Sequence, residues 1–114
     1  MVQLYQLPVR NGGPRQLYFT RRELSEMLSV YSRRVMSGEW RDYAIDHREG
    51  LATFSIFRHT HDRPLFAIVK APAPAREDRP QEYTLFSGPE RLVRSNSLAE
   101  ILAALEARPR LVVS

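Results

Sequence analysis

From Phe19 onward, apolar residues recur at helical spacing. Leu24, Met27, Leu28, Tyr31 and Val35 form one stripe, and Arg22, Glu26, Ser29 and Arg33 fall opposite it. This pattern predicts an amphipathic helix. Thr20 and Glu23 have capping-box spacing: the hydroxyl can accept from the Glu23 N–H, and the carboxylate can reach back to the Thr20 N–H. Phe19 and Leu24 are placed as a hydrophobic staple across that cap. Gly38, after Ser37, stands where a left-handed residue ends a helix. The helix is expected over about residues 21–37. Gln16 to Phe19 reads as a short strand leading into it.

Past Gly38 the period changes to two. Tyr43 and Ile45 alternate with Asp42, Ala44 and Asp46, which predicts a strand. His47 to Gly50 is read as a four-residue hairpin loop, setting Ile45 against Ala52 and Tyr43 against Phe54. The next hairpin runs Leu51 to His59, turns at His61-Asp62 and returns as Pro64 to Lys70. Its expected register sets Phe54 against Val69, Ile56 against Ala67, Phe57 against Phe66 and Ser55 against Ile68. Phe57, Phe66 and Ile68 then project from the face opposite Phe54 and Ile56, so both faces carry apolar groups. Residues 71–80, APAPAREDRP, read as an extended proline-rich loop. Gln81–Ser87 and Glu90–Arg94 are further strands across a Gly88-Pro89 turn. Ser97 and Glu100 form a second capping box, opening a helix over about 98–107 with Leu98, Ile101, Leu102 and Leu105 on one face. Leu111 to Val113 could add an edge strand. The fold class is α+β: an antiparallel meander of four to five strands, one long helix in the N-terminal half and one short C-terminal helix.

At 114 residues the chain is read as a single domain over 15–114, with residues 1–14, ending in NGG and Pro14, as a flexible tail. It has no cysteine, which rules out disulfides, thiol catalysis and cysteine-based zinc sites and fits a reducing compartment. The N-terminus lacks a signal-peptide pattern, and no apolar run is long enough to span a bilayer. A cytoplasmic protein without membrane contact is expected. Of 17 basic residues, Lys70 alone is lysine. Arginine suits phosphate and carboxylate recognition, but these arginines are scattered rather than gathered in a run.

Candidate chemistry is sparse. His59 and His61, followed by Asp62, come nearest to a metal cluster, but a hairpin tip is polar in any case and structural sites normally use four ligands, so no metal is assigned. Asp42 and Asp46 lie two strand repeats apart, about 13 Å, too far for shared acid–base work. No P-loop, dinucleotide fingerprint or nucleophile elbow appears. No cofactor and no catalytic residue are assigned, and enzyme is the weaker class. Arg33, Arg34 and Arg41 gather at the end of the long helix, where with Trp40 as a stacking face they would make an anion site. The plainer reading is that cations at a helix C-terminus complement its dipole while Trp40 sits in the core.

The segments FTRRELSEMLSVYSRRVMSGEWRDYAID and FSIFRHTHDRPLFAIVK resemble a family of short bacterial proteins, mostly alphaproteobacterial, catalogued as a domain of unknown function. The run GEWRDYAID, residues 38–46, is the most specific part. The resemblance implies a bacterial cytoplasmic protein and carries no functional site. Two functions of different class follow from the residues. The first is a small interaction module that binds itself, as a homodimer, or a protein partner through an apolar sheet face bearing Phe57, Phe66 and Ile68. The alternative is an accessory protein that binds nucleic acid or another polyanion through Arg33, Arg34 and Arg41.

Overall fold

The computed structural model describes residues 17–59, 63–74 and 81–108. Its first element is helix α1, Arg21–Met36. The cap forms in full: Thr20 N–H donates to Glu23 Oε1 (2.8 Å) and Glu23 N–H donates to Thr20 Oγ1 (3.1 Å). Phe19 is buried and Leu24 packs against the same core, as a staple requires. The other end closes as a Schellman motif. Gly38, at φ 84°, donates to the Val35 carbonyl, and Glu39 N–H reaches the Arg34 carbonyl. Met27 and Val30 are the fully buried residues of the helix, so its inward face centres on them, and Val35 is exposed. Residues 17–20 carry no strand, contrary to the expectation for Gln16 to Phe19.

Five strands follow: β1 (Asp42–Arg48), β2 (Leu51–Phe57), β3 (Phe66–Pro72), β4 (Gln81–Ser87) and β5 (Glu90–Ser95). They form one antiparallel sheet in sequence order. Helix α2, Leu98–Glu106, closes the described chain. The arrangement is α+β as expected, with the long helix first and the short one last. The tail over 1–14 and residues 111–113 lie outside the described residues.

Two hairpin registers differ from expectation. The β1–β2 turn has two residues, Glu49 and Gly50, both at positive φ (53° and 79°). Such a turn matches the right-handed twist of the flanking strands. It keeps His47 and Arg48 in the ladder and pairs Ile45 with Phe54 and Tyr43 with Ile56. In the β2–β3 hairpin the pairing is shifted by one residue: Phe54 faces Ile68, Ile56 faces Phe66 and Ser55 faces Ala67. Because side chains alternate, a slip of one moves every β3 side chain to the other face. Phe66 and Ile68 therefore join Phe54 and Ile56 beneath the helices, and Phe57 is left on the opposite face. Strand β3 also runs on to Ala71 and Pro72, opposite Glu82 and Gln81, into the stretch read as loop. Proline is tolerated there because β3 has already passed its last β2 pair.

Both helices cover one face. Met27 and Val30 of α1 and Leu98, Ile101, Leu102 and Leu105 of α2 share a core with Ala52, Phe54, Ile56, Ile68, Tyr83 and Leu85. At the N-terminus of α2, Ser97 accepts from Glu100 N–H, but Glu100 turns its carboxylate to the Ser95 hydroxyl, whose oxygen in turn accepts from Ser97 N–H. The second capping box is thus closed through Ser95. Because Thr20 serves only the cap, Thr20→Ala should lower stability by about 0.5–2 kcal/mol. The midpoint of urea denaturation checks this, and an unchanged midpoint would contradict the role given to the hydroxyl.

Candidate functional site

Three features stand out: a buried polar node, an arginine clamp at the end of α1, and the surfaces that the helices leave bare. The node is built on Lys70. Strand alternation turns it toward the helices, and its side chain is only 4% exposed. Nζ donates to Glu23 Oε1 and to the Tyr18 carbonyl, both at 2.8 Å. Tyr83, opposite Lys70 on β4, donates its hydroxyl to Glu23 Oε2. The capping carboxylate thus also receives the core lysine and tyrosine. Burial pushes the Glu23 carboxyl up, but hydrogen bonds from Lys70, Tyr83 and the Thr20 N–H, with the lysine charge, outweigh it and hold it below the usual value. Burial, and then the adjacent Glu23, pushes Tyr83 up to about 12. Inspection of the sequence did not reveal this node. Its one signal was a single lysine at the end of the apolar run LFAIV.

The clamp gathers three of the residues expected as an anion site. Arg34 donates to Glu39 Oε1 (2.8 Å) and to the Glu106 carbonyl (2.8 Å), and its guanidinium lies 5.5 Å from the Trp40 ring centre. Both members of the Arg34–Glu39 pair are nearly buried. Arg33 grips the Glu106 carboxylate through Nε (3.1 Å) and Nη2 (2.6 Å). Trp40 is 2% exposed and packs between Tyr31 and Phe66. An anion arriving here would compete with Glu39 and Glu106 and would find no open indole face. Arg41 is exposed beside this cluster, and its backbone N–H donates to the Phe57 carbonyl.

His59 is exposed; His61 and Asp62 lie outside the described residues. His47 stands on β1 against the Tyr18 ring at 4.6 Å. Among the described residues no group of three or more His, Asp or Glu is placed to hold a metal ion. Asp42 and Asp46 share a strand face, and Arg48 approaches Asp46 at 3.5 Å. Among the described residues no helix is long and apolar enough to cross a membrane.

The sheet face without helices carries Phe57, Val69 and Phe86 among small side chains: Ala44, Ser55, Ala67, Thr53 and Thr84. At one end a cavity of about 270 Å3 opens between Pro64, Ala67, Phe86 and Pro89. The β1 margin of this face carries Asp42, Asp46 and Arg48, the last 3.5 Å from Asp46, and the other margin carries Arg91 and Arg94 on β5, Arg94 lying 3.9 Å from Glu82 of β4. Of the expected interface residues only Phe57 belongs to it. Ile68 is fully buried beneath the helices, and Phe66 packs on Trp40.

The node makes stability depend on pH at both extremes. Glu23 has a depressed folded value, so its contribution is present above the unfolded value near 4.5 and is lost as pH falls through the lower folded value. Tyr83 is raised from 10.0, so its contribution is complete below pH 10 and is lost as pH rises through about 12. Tyr31, raised by burial and then by Asp42 and Tyr43, adds to the alkaline loss. Tyr83→Phe should therefore flatten the fall in unfolding free energy above pH 10 without abolishing it. Parallel alkaline profiles for variant and wild type would contradict the raised value of Tyr83.

No curated protein and no solved structure matches this chain. A family model described as "Protein of unknown function (DUF2794)" matches residues 17–102, a span that holds the capped N-terminus of α1, all five strands and the first turn of α2. The chain belongs to this family, whose matched region takes in both the Glu23–Lys70–Tyr83 node and the Arg34–Glu39–Trp40 cluster.

Proposed function

We propose that the protein is a small cytoplasmic interaction module that binds a protein partner through the helix-free face of its sheet. The observation that carries this reading is the segregation of the two helices onto one face, which leaves Phe57, Val69 and Phe86 on the other. Half-buried apolar residues set among alanine, serine and threonine make a surface that another protein can approach closely, and apolar patches with polar rims mark such contacts. The charged margins, Asp42, Asp46 and Arg48 on β1 and Arg91 and Arg94 on β5, give the patch a polar rim that a partner would meet with complementary groups. The cysteine-free sequence supports a reducing compartment. The polar clusters argue against catalysis, since Lys70 and Trp40 are almost wholly enclosed and Arg33 and Arg34 are already matched with carboxylates.

The double variant Phe57→Glu, Phe86→Glu tests the reading in the full-length chain. Both side chains are half-buried and stand outside the helix-covered core, so the variant should keep the wild-type circular dichroism spectrum and lose a protein that co-purifies with the wild type from its own cells. An unfolded variant would show that the face is covered by the chain itself. An unchanged set of co-purifying proteins would equally overturn the proposal.

A further inference from the structure

All seven residues of β1 are exposed, and its outer edge pairs with no strand among the described residues. The other edge strand, β5, is flanked by α2 and follows a bulge at Leu85/Phe86. Tyr43 and Ile45 on β1 are each 38% exposed, and Tyr18, its ring tilted against His47, is 52% exposed. A long unpaired edge with exposed apolar side chains is a template for another strand.

The turn fixes which backbone groups point outward. A two-residue turn makes Arg48 and Leu51 its closing hydrogen-bonded pair, so the even-numbered residues of β1 bond to β2. The N–H and C=O groups of Tyr43, Ile45 and His47 are then directed away from the sheet; the Tyr43 N–H donates to Asp42 Oδ1 at 2.8 Å, a contact the partner strand replaces as Asp42 turns to Arg48. We propose that β1 pairs antiparallel with the β1 of a second copy across a two-fold axis at Ile45, joining two five-stranded sheets into one.

Overlap and charge select that axis: one at Tyr43 or His47 pairs only three residues of β1, and charge decides among the rest. Placing it at Ala44 sets Asp42 of each copy against Asp46 of the other, and placing it at Asp46 sets that residue against itself; directly opposed like charges are unfavourable. Placing it at Ile45 sets Asp42 of each copy against Arg48 of the other, twice over, with Asp46 facing Ala44. These residues fall at non-hydrogen-bonded pairs, where side chains approach most closely. On the other face Ile45 meets Ile45, and Tyr43 joins His47 and its Tyr18 neighbour. The proposal uses the β1 edge, shares Asp42 and Asp46 with the margin of the helix-free face, and stands without Phe57, Val69 or Phe86.

Sedimentation velocity of the full chain over a concentration series tests it. The wild type should sediment at twice its 13.2 kDa. Asp42→Arg, which sets arginine against Arg48, should weaken the dimer by roughly tenfold or more. The exchange Asp42→Arg with Arg48→Asp should restore it, and the single variant should keep the wild-type circular dichroism spectrum. Ile45→Pro removes an outward N–H that β2 does not use, and should yield a folded monomer. A wild-type monomer, including one that dimerises only when residues 1–16 are deleted, would overturn the inference. So would a dimer indifferent to these changes, or one broken by Phe57→Glu with Phe86→Glu, which would assign self-association to the helix-free face.

Discussion

The Glu23 carboxylate is the contact on which the rest of the arrangement depends. It belongs to the first turn of α1, yet it accepts from Lys70 on β3 and Tyr83 on β4, as well as from its own cap. A lysine in the core is tolerated only with a partner, because an uncompensated buried charge costs several kcal/mol. A helix laid on a sheet by apolar contacts alone can slide or roll at little cost. The two donors from the sheet, Lys70 and Tyr83, converging on this one carboxylate fix both the height and the rotation of its N-terminus. The far end is held in the same manner: Arg34 reaches Glu39 and the end of α2, while Arg33 grips Glu106. Between these two polar locks lies the apolar contact of Met27 and Val30, which has no directional preference of its own.

The locks also decide what is left bare. Because α1 is tied to α2 as well as to the sheet, the helices form one layer, and α2 lies toward β4 and β5. Coverage is therefore lopsided. The β5 margin is flanked by α2, whereas β1 is exposed along its whole length, and one face of the sheet has neither α1 nor α2 over it. The same geometry explains why the arginines expected to meet an anion do not stand free. Arginine's planar fork suits carboxylates as well as phosphates, and here it joins the two helices. A binding role for this chain thus rests on its bare sheet surfaces more than on its charge.

Much of the fold was legible because its signals are local. The Thr20 and Glu23 cap, the Gly38 stop, the order of the strands and the start of α2 each follow from a few neighbouring residues whose backbone needs are specific. Hairpin registers were less legible. Gly50 marks the turn, but Glu49 at positive φ is a conformation that a glutamate gives little reason to expect, so the sequence pattern favours a loop two residues longer than the one formed. The β2–β3 connection has no short turn motif to set its register at all.

The one-residue slip in that second hairpin has a cause within the structure. Lys70 shares its strand parity with Phe66 and Ile68. Turning the lysine to solvent, as its charge invites, carries both apolar residues outward and brings Ala67 and Val69 in. A sheet with large apolar groups on both faces is the result, and that was the anomaly in the sequence. Turning Lys70 inward exchanges an alanine and a valine for a phenylalanine and an isoleucine in the core, a gain in apolar burial at about 25 cal/mol per Å2. The exchange is favourable only if the ammonium finds a partner. Glu23 supplies it, but its capping role gave the carboxylate a sufficient purpose at the helix surface and hid the second one. The register of the sheet and the placement of the helix are therefore a single decision, and it is made by one salt bridge that no local pattern announces.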